Sequence, residues 1–272
     1  METAATPRLR RSGWHRRLPL ASSGIGSTVL ALLVGAAAWE LVGRVANFPF
    51  FPPLTKVLAR LVEMIAKGMI LDSLVTSLTN LAIGFTISVI FGVAIGLAMG
   101  MYRRVHAALD IYVNALLTAP SLVFAPIFFS IWGLDRESII AVIVMYAIFV
   151  IIINTAAAVQ SVPISLIEMA RSYNASDWQL FRKVVLPAAT PLTMAAIRVG
   201  AGSAVKGMVN GEMFIAVVGL GAVVTDAGRR FDATSVLAVL IVMIVVAFAL
   251  IKLVQIVDAR LTSWLPSTAR GG

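Results

Sequence analysis

Apolar runs of about 20 residues recur along this chain, and they constrain its fold more than any other feature, because a bilayer core of ~30 Å asks for helices of that length. Six such segments are predicted, over residues 27–46, 78–101, 107–134, 138–158, 191–217 and 235–257. Of the 272 residues, 60% are hydrophobic and only 13% charged, with a mean hydropathy of +0.95. A soluble domain of this size cannot hide so much apolar surface. The alternating ten-residue segments of a membrane barrel are not seen. The fold class is therefore all-α: a polytopic membrane protein with six transmembrane helices. Four regions follow: a basic N-terminal arm (1–26), a first span with a following amphipathic segment (27–77), the main transmembrane domain (78–264) and a short tail (265–272).

An even number of spans places both termini on one side, and basic residues choose it. With the N-terminus in the cytoplasm, thirteen Lys and Arg fall in cytoplasmic pieces and six in outer ones (Lys56, Arg60, Lys67, Arg136, Arg229 and Arg230). The positive-inside rule favours that arrangement. It also accounts for the net charge of +9 without a nucleic-acid partner, which would need a basic face on a soluble fold. The run RLRRSGWHRR reads as an arm in contact with lipid, and the apolar stretch after it as a retained anchor rather than a leader cleaved near Ala36–Ala38.

One polar island interrupts the apolar sequence, EMARSYNASDWQLFRKVVLP over Glu168–Pro187. Pro163 suits the first turn of a helix, and Ile164, Ile167 and Met169–Ala170 follow at helical spacing. Asn174 sits where a helix stop needs a residue tolerant of positive φ. Ser176-Asp177-Trp178-Gln179 has the pattern of a capping box that opens a second short helix, which Pro187 is expected to end. Two short helices joined at Asn174–Ala175 predict a knob, ringed by Arg171, Asp177, Arg182 and Lys183.

The spacing Glu168-Met169-Ala170, three residues, Asn174, nine residues, Val184, one residue, Leu186-Pro187 resembles the EAA loop of the membrane subunits of bacterial ABC importers. Met169 stands where the family pattern has Ala, and Asn174 where it has Gly. The resemblance runs from about Leu78 to Trp264. It includes Thr118–Gly133, the Asn154-Thr155 pair and Gly211–Gly221, and is nearest to the sulfonate, nitrate and taurine branch. It implies a permease of the cell inner membrane that works by alternating access, with a coupling loop at 159–190 contacting ATP-binding subunits through Glu168, Met169, Ala170, Arg171, Asn174, Ala175, Ser176 and Asp177. It further implies a separate extracytoplasmic solute-binding protein, a permease homodimer, and a small anionic cargo.

Candidate pathway and packing residues come from the spans themselves. Gly84, Ser88, Gly92, Gly96 and Gly100 recur every fourth residue and line one helix face, a seam either within one subunit or between two. Pro120 and Pro126 interrupt the third span, with Thr118, Ser121 and Ser130 nearby, which suits either a pathway lining or a static kink. Asn154 lies in the fourth span. Lys206, with Asn210 one turn on, is costly within a membrane and suits either contact with an anionic solute or pairing with a Glu212 outside its own helix. Residues 54–67 form an amphipathic stretch that suits either interfacial anchoring in lipid or partner docking.

The chain has no cysteine, which removes disulfides and thiolate chemistry, and its two histidines, His15 and His106, are far apart, so no metal site is expected. None of its five lysines is followed by Ser or Thr, as a P-loop requires. No cofactor and no enzymatic activity are expected, and ATP hydrolysis belongs to another polypeptide. An ion-gradient-driven carrier or channel is the alternative. It asks for buried carboxylates or broken helices in symmetric halves, and the acid supply is thin, with Asp110 and Glu212 near span ends.

Overall fold

The structure, a computed structural model, describes residues 24–46, 48–215 and 217–262. The basic arm as far as residue 23 and the tail at 265–272 lie outside the described residues. Within them every regular element is helical: α1 (Gly24–Val45), α2 (Leu54–Ala66), α3 (Leu71–Met101), α4 (Arg103–Thr118), α5 (Ala125–Trp132), α6 (Arg136–Gln160), α7 (Ile164–Ser172), α8 (Asp177–Leu180), α9 (Leu186–Ile215), α10 (Gly219–Arg229) and α11 (Ala233–Leu261). Five segments are long and apolar enough to cross a membrane: α1, α3, α6, the stretch Asp177–Ile215, and α11. A sixth results if α4 and α5 count as one span, but they are bent by 94°.

The expected third span at 107–134 is therefore sharply bent in its middle. Ala119, forced by the following proline out of the helical region, is extended (φ −61°, ψ 138°), so α4 stops at Thr118. A single tight turn, Ser121–Phe124, follows Pro120 and leads into α5. Pro126 breaks nothing; it sits in the first turn of α5, where no helical N–H is needed. The Ser138 hydroxyl then ties the α5–α6 corner by donating to the carbonyls of Phe128 and Gly133.

The centre of the molecule is α6, held between α3 and α9. The every-fourth-residue stripe of α3 lies against α6 of the same chain. A Cβ added at Gly84 would sit 2.6 Å from Ile143, at Gly92 2.9 Å from Ile151, at Gly96 2.6 Å from Thr155 and at Gly100 2.5 Å from Val159. Ser88 is fully buried in this seam and satisfies its hydroxyl on the Gly84 carbonyl. On the opposite side, α9 presents its own glycines to the same helix: Gly200 meets Ile151 and Gly207 meets Ile143 and Tyr146. Ile143 and Ile151 are thus each gripped between two glycines. Lipid tails are as apolar as these side chains, so the association rests on close packing and not on exclusion of water.

The two ends of the bundle have separate cores. At one end Val57 and Met64 of α2, Leu220 of α10 and Val239 of α11 pack together. The segment expected to lie flat on the surface therefore buries one face in protein, while Leu58, Val62 and Ile65 stay exposed. Arg60 secures it, donating to Ser235 at 2.9 Å and pairing with Glu63. Hydrogen bonds from Lys67 and then Arg60 lower the Glu63 pKa from the usual carboxylate range to about 2. At the other end, Ala158 and Val159 of α6 and Val162 just after it pack on Ala170, Leu180 and Val185. By contrast α1 is almost wholly exposed, joined to α2 by Glu40 accepting from the amide and hydroxyl of Thr55.

The seam makes a testable demand. Gly96→Val places its added carbons against Thr155 and the Ile152 carbonyl, and overpacking of this kind costs about 1–3 kcal/mol. Thermal unfolding of the detergent-solubilised protein is expected to shift down by several degrees, whereas Gly202→Val, which meets nothing within 4 Å, leaves the midpoint unchanged.

Candidate functional site: the polar knob and the α9 face

The knob between α6 and α9 is a rigid object with one anchored and one bare side. Its first helix, α7, ends in a left-handed residue: Asn174 has φ 55°. The Asn174 amide donates to Arg171 and the Ala175 amide to Ala170, the paired bonds of a Schellman motif, so Asn performs the turn usually given to Gly. Two residues later Ser176 closes the expected capping box, its hydroxyl accepting from the Gln179 amide while the Gln179 side chain accepts from the Ser176 amide. Asp177 in the first turn of α8 and Arg171 in the last turn of α7 each match the helix dipole.

Pro187 does not end the second helix. A π turn at Phe181–Val185 carries α8 straight into α9, with the Leu186 amide donating to Phe181 five residues back. The wider turn gives room to a proline ring that would otherwise collide with the carbonyl one α-turn earlier. The consequence is mechanical: residues 177–215 form one continuous helical stretch from the knob to the far end of the bundle.

The anchored side of the knob is Ala170, Leu180 and Val185, buried on the ends of α3 and α6. The bare side shows Ile164 (70% exposed), Tyr173 (83%) and Trp178 (65%) with Met169. Trp178 and Phe181 lie 5.9 Å apart and brace each other. Ile164 and Trp178 therefore do not pack on the spans. Glu168 is exposed, and among the described residues its carboxylate has no ion pair.

The candidate pathway residues are only partly brought together. Asn210 on α9 donates to the Tyr146 hydroxyl on α6 at 3.0 Å. Lys206, one turn away, is exposed and has no ion-pair partner among the described residues. Asn154 is exposed further along α6 and bonds back to the Val150 carbonyl at 2.7 Å. Pro120 and Ser121 form the turn between α4 and α5, and no described hydrogen bond links them to Lys206 or Asn210.

The pairing of Lys206 with Glu212 is excluded by where Glu212 lies. Glu212 is fully buried in its own chain. Its Oε2 accepts from the Ser77 hydroxyl of α3 at 2.8 Å and from the Gly221 amide of α10 at 3.0 Å. The Ser77 oxygen in turn accepts from the Leu220 amide. Sequence reasoning noted Gly211–Gly221 only for its resemblance; Ser77, 135 residues from Glu212, carries no local signal. Another unforeseen tie is the 2.7 Å pair of Arg198 on α9 with Asp258 near the end of α11.

Comparisons with known proteins agree with this architecture. Residues 88–263 match the family described as binding-protein-dependent transport system inner membrane component, and the chain belongs to that family. The putative aliphatic sulfonates transport permease protein SsuC of Bacillus subtilis (strain 168) is 29% identical over 95% of this chain and 90% of its own. The taurine transport system permease protein TauC of Escherichia coli (strain K12) is 29% identical over 94% of each chain. Among solved structures, an inward-facing MetNI methionine ABC transporter superposes with a TM-score of 0.59 at 19% identity, covering 69% of this chain and 93% of that one, which shows a shared fold. This chain is therefore a multi-pass permease subunit of an ABC importer. It works with ATPase and binding-protein subunits, and nucleotide hydrolysis resides on a separate polypeptide. That sets aside the ion-gradient alternative.

Proposed function

We propose that two copies of this chain form an alternating-access pathway for a small anionic solute, with the 159–190 loop as the coupling element seated on the cytoplasmic ATPase. The observation that carries this is the knob: a loop whose backbone is fixed by a Schellman motif and a capping box, and whose free side is a bare cluster of Ile164, Met169, Tyr173 and Trp178. Exposed apolar groups on a rigid support suit a groove on another protein. Glu168, Arg171 and Asp177 border that cluster and give the contact its charge register.

Both termini are placed in the cytoplasm, where the arginine excess lies and where the knob reaches ATP. Counting α4 with α5 as one bent span keeps the number of crossings even. The end bearing α2 and α10 then faces outward, toward the solute-binding protein. The names of the relatives, sulfonate and taurine permeases, support a small anion as cargo. So does Lys206, an exposed ammonium with no ion pair among the described residues, one turn from Asn210, which donates to the Tyr146 hydroxyl. A charge at that depth calls for a polar interior or a counter-ion, and a transiting sulfonate or carboxylate supplies one. Pro120, Ser121 and Asn154 belong to the same proposed pathway, α4–α5 bending around it.

Asn174→Pro removes the amide that closes α7 and cannot adopt φ 55°, whereas Asn174→Gly keeps the turn. Solute-stimulated ATP hydrolysis by the reconstituted importer is expected to fall about tenfold or more in the proline variant and to survive in the glycine variant. Equal coupling in both would remove the knob from its assigned role. For the cargo, Lys206→Gln is expected to raise the half-saturating concentration for anionic solutes about tenfold, or ~1.4 kcal/mol, without loss of assembly. An unchanged value in uptake assays would rule out the anion contact.

A further inference from the structure

The N-terminus of α10 has no cap of its own. Val218 occupies the N-cap position and carries no hydrogen-bonding side chain. Free helical amides at a buried end need acceptors, and here two remote helices provide them. The Leu220 amide donates to Ser77 of α3 at 2.9 Å, and the Gly221 amide donates to Glu212 of α9 at 3.0 Å. Ser77 and Glu212 are joined by their own 2.8 Å bond, and Ser77, Glu212 and Leu220 are all fully buried. A carboxylate at this end of a helix also opposes the positive end of the helix dipole.

The glycines of Gly219-Leu220-Gly221 exist for this contact. A Cβ at Gly219 would lie 2.3 Å from the Glu212 carboxyl carbon, and one at Gly221 would lie 2.6 Å from the Glu212 Cβ. Gly219 moreover has φ 78°, the left-handed turn that swings α10 back along the last turn of α9. Thr225, one turn into α10, donates toward the Met213 carbonyl of α9. So α10 cannot shift as a unit without either carrying the end of α9 with it or breaking its cap. At its other end the same α9 runs without interruption, through the π turn, into the knob.

We propose that Glu212, with Ser77, is the positioning joint through which a partner protein seated on α10 acts on α9, so that its arrival at the outer surface is registered at the cytoplasmic knob. This rests on the importer reading given above, which supplies the orientation and the solute-binding protein. The Glu212 carboxylate touches no solute in this role; it transmits position.

The test uses the complete importer in proteoliposomes, with Ser77→Ala, Glu212→Gln and Glu212→Leu in the permease. Ser77→Ala and Glu212→Leu are expected to lower the stimulation of ATP hydrolysis by solute-loaded binding protein, and uptake with it, about three- to tenfold, the range a lost helix cap carries. Basal hydrolysis and assembly stay at wild-type level, and Glu212→Gln, which keeps an acceptor oxygen, retains most of the stimulation. Because the chain holds no cysteine, spin labels at Asp72→Cys on α3 and Asp226→Cys on α10 report the joint directly. Their distance distribution is expected to broaden in Glu212→Leu and not in Glu212→Gln. Unaltered stimulation in Ser77→Ala and Glu212→Leu would overturn the proposal. So would a parallel fall of basal and stimulated hydrolysis, the mark of a purely structural group. A wild-type complex that shows no ATP-driven uptake would instead strike at the importer reading itself, and this inference would fall with it.

Discussion

Everything in this molecule hangs on how closely α6 can approach its two neighbours. Ile143 and Ile151 are each caught between a glycine of α3 and a glycine of α9, and Gly96 and Gly100 admit Thr155 and Val159 in the same way. In lipid there is no water to expel between helices, so the packing has to be won by contact area and backbone proximity. A three-helix slab built in this way is stiff across its seams. Outside it lie α1, tied to the bundle through α2, the bent α4–α5 pair, and the two end pieces α7–α8 and α10.

Of those pieces, the two end pieces are both fastened to α9, and this gives the fold its mechanical character. The knob is continuous with α9 through the π turn at Phe181–Val185, and α10 is bolted to it by Glu212. One helix, α9 itself about 45 Å long at 1.5 Å per residue, therefore touches both ends of the bundle. On its way it carries Lys206 and Asn210. In the proposed function, coupling between an outer event and a cytoplasmic one needs an element that both sites bias, and α9 is the element proposed for it.

Much of the fold was readable before the structure because its causes are local. Span lengths follow from apolar runs, the α3 seam from glycine spacing, and the knob from Asn174 and the Ser176–Gln179 box, each acting over four residues or so. What escaped has causes that lie elsewhere in the chain. The 94° bend between α4 and α5 depends on how Ala119 responds to Pro120, and sequence alone does not separate a bent span from a kinked one. Pro187 looked like a stop because the π turn that absorbs it leaves no compositional trace. The role of Glu212 depends on Ser77, 135 residues away, and only tertiary proximity reveals it. For the same reason Lys206 was open to pairing with Glu212 until burial showed the acid to be occupied.

The most direct test of the account is uptake into sealed vesicles that hold this permease with its ATPase, supplied with the solute-binding protein and ATP on the proper sides. Accumulation of a small anion that requires ATP and all three components is the predicted result. Accumulation by the permease alone, driven by an imposed ion gradient with no ATP present, would contradict it.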